Sequence, residues 1–146
     1  DKEEEVEMHK SAYTPSSSLL PMADTHKELF PHTKEHTSEN IKIKRLDNVV
    51  KDLNLKKEIL IKVDVQGFED KVLQGGPETF GKARAVIIEV SFVTLYEGQP
   101  SFDTLYQHLK SLGFEYSGSL EQKVGKHSSR VISEDSLFIR YENYAK

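Results

Sequence analysis

Cysteine is absent from this 146-residue chain. Disulfides and thiol catalysis are thereby excluded, while the redox compartment is left open. Tryptophan is absent too. A hydrophobic content of 36% against 30% charged residues describes a soluble protein with a thin core, sized for one modest domain. There is no surplus of positive charge. A formal net charge of −4 and a pI near 5.9 argue against nucleic acid as the main partner, because phosphate binding needs a basic surface. No apolar stretch approaches a membrane span and no secretory signal is visible. The expectation is a cytoplasmic protein with no membrane partner. Asp1 stands where a methionine would open a full reading frame, which suggests a processed or trimmed piece of something longer.

The richest stretch that is present is Ile59–Gly76, ILIKVDVQGFEDKVLQGG. An almost unbroken apolar run ends in an acid, a polar residue and a glycine, and a helix-like pattern follows at once. Such a run predicts a strand buried on both faces in the middle of a parallel sheet. In open α/β sheets ligands sit just beyond the carboxyl ends of these strands. Asp64, Gln66, Gly67 and Glu69 occupy that position.

The rest of the chain supplies an α/β order. Residues 1–13 form an acidic segment, an edge strand or disordered, and residues 14–146 carry the domain. Thr14–Met22 reads as a Ser/Pro loop, and Ala23–Asn40 as an irregular connection with one helical turn. Ile41–Lys44 alternates like a short strand. Leu46, Val49, Val50 and Leu53 mark one face of a short helix, with Asp47 placed to suit its cap and dipole. Phe68, Val72 and Leu73 predict a helix stopping at Gly75-Gly76, and Pro77 opens a further turn to Phe80. Ala85–Phe92 is a second buried strand. Phe102, Leu105, Tyr106, Leu109 and Leu112 form a helical stripe closed by Gly113. Strands Phe114–Gln122 and Ser136–Tyr141, joined by the polar loop Lys123–Asp135, finish the domain as a terminal antiparallel hairpin on a mixed sheet.

The segment KVDVQGFEDKVLQGG resembles the strand and helix in the second half of FkbM-family methyltransferases, which read lysine, hydrophobe, Asp, hydrophobe, Glu or Gln, Gly, any residue, Glu. Supporting pieces fall in the same order: SSSLL at Ser16–Leu20 and IKIKRLDNV at Ile41–Val49 before it, then IIEVSF at Ile87–Phe92, LYEGQPSFDTLY at Leu95–Tyr106, LGFEY at Leu112–Tyr116 and DSLFIR at Asp135–Arg140. The resemblance implies a Rossmann-like class I methyltransferase fold, S-adenosyl-L-methionine as methyl donor, and O-methylation of a sugar or natural-product hydroxyl. No Gly-x-Gly follows a strand here, whereas the family holds the methionine end of the cofactor on a glycine-rich loop after its first strand. The resemblance is therefore to the second, substrate-side half of the fold, and the chain alone is expected to bind the cofactor weakly or not at all. The alternative is a non-catalytic α/β binding or assembly module derived from that fold.

Methyl transfer to a hydroxyl needs in-line approach and a base for the proton. Asp64 is the candidate for that carboxylate, and Glu69, carried over from the family pattern, is a second acceptor. Each has a plainer reading as helix cap or dipole partner. Gln66, Gly67 and Ser17 are the cofactor candidates, Gly67 because it lets a ligand approach the backbone. Glu89, a charge inside an apolar strand, should face a cleft or pair with a basic residue. With Tyr96 and Glu97 it makes the substrate-side set, and Gln99 lies in the same loop, which is otherwise an ordinary surface loop. His26, His32 and His36 are spaced H-x5-H-x3-H. Lacking cysteines and an HExxH frame, they read as solvated loop histidines rather than a metal site, although a metal-dependent hydrolase using them with Asp64 is a minor rival. Without a first strand beside it, Ile59–Val65 exposes an edge, which a second copy of the chain would pair with or the amino-terminal segment would cover.

Overall fold

The computed structural model describes residues 1–33, 36–56, 58–125 and 128–141. Among the described residues there are two sheets. The smaller is a hairpin in which β1 (Glu4–Ser11) pairs antiparallel with β2 (His36–Ile43), Glu4 opposite Ile43 and Ser11 opposite His36. The acidic segment is thus a strand. β2 starts well ahead of the expected Ile41, because polar His36–Asn40 find ladder partners in β1 that no local periodicity announces. Between the two strands the expected irregular connection holds a short helix, α1 (Asp24–Leu29), flanked by 3-10 turns at Thr14–Ser16 and Pro31–Thr33.

The larger sheet has the order β3-β4-β6-β5. β3 (Ile59–Val63) and β4 (Ala83–Ser91) run parallel, as a crossover through helices α3 (Glu69–Gly75) and α4 (Pro77–Gly81) requires. Helix α5 (Phe102–Ser111) then leads to a hairpin of β5 (Glu115–Val124) and β6 (Val131–Ile139), whose second strand inserts antiparallel beside β4. The class is α/β with a mixed sheet. The hairpin strands reach further into the predicted loop than expected, since Ser133, Glu134 and Asp135 pair across β6 with Ser91, Val90 and Glu89. Lys126 and His127 in that loop lie outside the described residues.

One correction bears on the site. β3 is not sandwiched in mid-sheet: among the described residues its single neighbour is β4, and its burial alternates. Val63 is buried with Leu73, Phe80, Val86, Ile88, Leu105, Leu109 and Phe138 in one core, while Leu60 on the other face is 60% exposed. The helices cover one face, so the apolar run is buried on one side only. Phe80, Phe114 and Phe138 are fully enclosed, each contributing about 2–3 kcal/mol by burial. Among the described residues no helix is long and apolar enough to cross a membrane.

Helix α2 (Leu46–Val50) departs from its expected amphipathic face. Leu46 packs on the core, but Val49 and Leu53 are 52% and 55% exposed, because five residues cannot carry the stripe to Leu53. Asp47 does not cap its own helix, either. Its carboxylate accepts from the backbone N–H of Glu78 (3.1 Å) and Thr79 (2.8 Å) and from Thr79 Oγ1 (2.6 Å), which caps α4 from another element. Pro77 at the first turn of α4 offers no N–H, so this carboxylate meets the first donors available there. Replacing Asp47 by Ala is expected to cost about 1–2 kcal/mol of stability in urea titrations. Asn should recover part of it, whereas an unchanged midpoint for the alanine variant would show that the cap carries no weight.

Candidate active site at the carboxyl end of β3

Beyond Val63 the chain turns sharply. Gln66 has φ +53° and Gly67 φ +95°, a left-handed pair that is strained for the side-chain-bearing residue. Three contacts hold the turn. Glu69, only 4% exposed, accepts at Oε1 from the N–H of Gly67 (3.0 Å) and of Val65 (3.3 Å). Ser18 Oγ donates to the Gln66 carbonyl at 2.6 Å. A Cβ on residue 67 would lie 3.0 Å from Tyr96 Cβ and 3.1 Å from Leu20 Cδ1, so glycine serves packing there, and the space in front of it is filled by the chain's own side chains.

The Gln66 carboxamide is the hub of the site. Nε2 donates to Asp64 Oδ1 at 2.6 Å and to Glu89 Oε2 at 2.9 Å, and Oε1 accepts from Tyr96 OH at 2.8 Å. Glu89 takes its second donor, Lys123 Nζ, at 2.9 Å, which answers the charge inside the apolar strand. Lys62 Nζ donates to Asp135 Oδ2 at 2.6 Å and stands 4.0 Å from Asp64 Oδ2, beyond hydrogen bonding. That oxygen of Asp64 is the one left open. The loop after β4 is stapled by Gln99, whose Oε1 accepts from the N–H of Leu95 and Tyr96 and whose Nε2 donates to the Val93 carbonyl.

Burial pushes the Glu69 carboxyl up, and the backbone N–H groups on it only partly offset this. Burial also pushes Glu89 up, with Lys123 pulling against it and Asp64 and Asp135 adding to it. Lys123 is itself held above the usual lysine range: burial works against its charge, and Glu89 outweighs burial. The two shifts favour opposite charge states of one pair. With an ammonium on one oxygen and an amide donor on the other, the geometry holds Glu89 as a carboxylate. Tyr96 is raised by burial first and by Glu89 next, so its hydroxyl keeps its proton. The hydrogen bond to Asp135 raises Lys62.

Two cavities meet at Asp64. A mainly apolar one of about 470 Å³ is bordered by Ser17, Leu19, Leu46, Asp64, Phe68 and Val72. A charged cleft of about 130 Å³ lies between Lys62, Asp64, Glu89, Glu121, Lys123 and Asp135. Tyr96 and Glu97 border a third hollow of about 150 Å³ with Ser16 and Pro21, and Glu97 N–H donates to the Pro21 carbonyl. The expected site residues are thus split: Asp64, Gln66, Glu89 and Tyr96 share one side-chain network, Glu69 braces the backbone of the turn at Gly67, Ser17 borders the apolar cavity, and Glu97 stands apart. Ser17 Oγ accepts from Ser11 N–H at 3.1 Å.

The sequence matches the model of the methyltransferase FkbM domain over residues 1–116. The chain belongs to the FkbM methyltransferase family. It is also 37% identical over 78 residues to the 2-O-methyltransferase NoeI of Sinorhizobium fredii, an alignment covering 47% of this chain and 32% of that protein. The chain thus spans about a third of the curated relative it matches. No solved structure matches.

In this FkbM-family domain, Lys62, Lys123 and Asp135 are the site residues that sequence reasoning missed. Lys62 carried a signal, since a residue two before Asp64 on a strand shares its face. Lys123 and Asp135 carried none, being brought in by hairpin pairing. The histidines need a correction. His26 lies on α1, 3% exposed, with its ring edge-on to Phe30 and Tyr96 and neither nitrogen hydrogen-bonded. His32 is exposed, and the side chain of His36 lies outside the described residues.

Two expectations follow. Glu69→Ala strands two backbone donors and is expected to cost about 1–3 kcal/mol, while Glu69→Gln keeps an acceptor and most of the stability. A Gln variant as unstable as the Ala variant would contradict the bracing role. For His26, burial lowers the folded-state pKa, helped by His32 and Lys123. The unfolded chain therefore takes up the proton first as pH falls below about 6.5, so stability is full above that pH and is lost as pH falls towards the lowered folded value. His26→Phe should gain on the native chain in urea midpoint between about pH 7.5 and 5.5. A constant difference would rule out a buried titrating His26.

Proposed function

We propose that this chain forms the substrate-side part of an S-adenosyl-L-methionine-dependent O-methyltransferase acting on a hydroxyl of a sugar or related natural product. The observation that carries this reading is that one partly exposed carboxylate, Asp64, borders both the apolar cavity and the charged cleft. A group transfer needs donor and acceptor brought to one point.

The apolar cavity suits the flat nucleoside part of the donor, with Leu19, Val65 and Phe68 as walls and Ser17 and Asp64 as polar border. A carboxylate there also suits a positively charged sulfur. Gln66 and Gly67 offer no free group, since the carboxamide is fully hydrogen-bonded and the glycine's open side is packed. When bound, the donor supplies a methyl group activated by the adjoining sulfonium. The acceptor enters from the charged cleft, where carboxylates and ammonium groups alternate as a polyhydroxylated molecule requires. Its reacting hydroxyl hydrogen-bonds to the open oxygen of Asp64, which orients the attack and takes the proton. The bacterial relative is a 2-O-methyltransferase, which supports a hydroxyl acceptor. The sheet order supports the half-fold reading: the free edge of β3 is where the family's fold sets its first strand.

That same edge favours a second reading, an assembly module whose β3 pairs with a second copy. Calorimetric titration with S-adenosylmethionine separates the two. The full-length gene product is expected to bind, and this chain weakly or not at all. Asp64→Asn in the full-length protein should slow methyl transfer at saturating donor by about 10²–10⁴-fold. Absence of binding by the full-length protein, with dimers of this chain in light scattering, would replace the enzyme by the assembly module.

A further inference from the structure

We propose that Gln66 is a positioning residue: its carboxamide holds Asp64 and Glu89 as two separate carboxylates, with the Tyr96 hydroxyl bound to its oxygen. The inference rests on the reading of Asp64 as the hydroxyl acceptor and adds the device that keeps it competent.

The geometry is fully specified. A primary amide has two N–H donors, and here each is spent on a different carboxylate, 2.6 Å to Asp64 and 2.9 Å to Glu89. Turned the other way, the amide would place its oxygen against both acids. The two carboxylates oppose this, since neither offers a proton to that oxygen, and the Tyr96 hydroxyl meets Oε1 at 2.8 Å. The tyrosine is seated in turn: its ring is buried beside His26 and its hydroxyl lies 3.2 Å from the Ser16 carbonyl. The backbone supplies a further sign. Position 66 keeps a side chain at φ +53°, where glycine would be relaxed, and Ser18 anchors its carbonyl at 2.6 Å. A turn needing only its shape would be served by glycine. Strain at a non-glycine residue whose side chain is completely hydrogen-bonded points to a use for that side chain.

The chemical consequence follows from what two carboxylates do when nothing separates them: they share a proton, and one of them ceases to be a base near neutral pH. The neutral double donor between them satisfies one oxygen of each acid without adding charge, while Lys123 takes the other oxygen of Glu89 at 2.9 Å and Lys62 stands 4.0 Å from the other oxygen of Asp64.

The test uses the 146-residue chain and follows the side-chain carboxyl carbon of Glu89 by NMR titration, assigned with Glu89→Gln. Gln66→Leu removes both donors, and Gln66→Gly removes them while relaxing the turn. In both, the Glu89 midpoint is expected to rise by about one pH unit or more, and Tyr96→Phe should give a smaller rise in the same direction. Because Gln66→Gly relieves the backbone, its urea midpoint should hold or rise while the titration still moves, which a purely structural role would not produce. Titration curves of Gln66→Gly and Tyr96→Phe that superimpose on the native curve would overturn the proposal. That result is independent of S-adenosylmethionine binding by the full-length protein, which tests the methyltransferase reading itself.

Discussion

The turn between β3 and α3 depends on a carboxylate that solvent scarcely reaches. Glu69 begins the helix, folds back, and takes the N–H groups of Val65 and Gly67. A left-handed turn cannot satisfy those donors within its own backbone, and buried donors without partners are costly. Once they are met, Gln66 is forced to project across the carboxyl ends of β3 and β4, and its amide lands between Asp64 and Glu89. The whole polar network follows from that placement.

Charge is distributed across the sheet on four strands. Glu89 on β4 and Asp135 on β6 stand opposite one another, and each takes an ammonium from an outer strand, Glu89 from Lys123 of β5 and Asp135 from Lys62 of β3. Ion pairs in such a partly buried set contribute little net stability, since desolvation offsets attraction. What they give is a fixed pattern of acceptors and donors around the open oxygen of Asp64. Beside it the apolar cavity under Leu19 and Phe68 presents the opposite character, and Asp64 lies on the border of both.

Much of this was legible in the sequence. The apolar runs at β3 and β4, the proline opening α4 and the glycine closing α5 gave element types and order, because each is a local preference that packing did not override. The place of Asp64, Gln66, Gly67 and Glu69 at the turn after β3 was legible because a strand, a turn and a helix start in eight residues leave a distinctive pattern. Long-range matters stayed hidden. The pairing of polar His36–Asn40 with β1, the extension of β6 through Ser133–Asp135, and the arrival of Lys123 at Glu89 depend on partners far along the chain. The one-sided burial of β3 was misread because an unbroken apolar run looks alike whether one face or both are covered. Gln66 was read as a ligand group, since its own type and place do not reveal that all three of its hydrogen bonds are internal.

The carboxylate of Asp47 reaches across to the start of α4 and so fastens the segment that enters β3 to the helix that leads into β4. The crossover is thereby closed on itself by a side chain as well as by the main chain. A unit tied in this way has natural seams, one just before Arg45 and one after Ser91. Between those seams lie the strand pair, the strained turn and both acids that Gln66 binds, while the lysine on Glu89 comes from outside. What the clasp does not supply comes from either side of it: Ser18 on the Gln66 carbonyl, Tyr96 on its amide and Lys123 on Glu89 lock the finished turn from without.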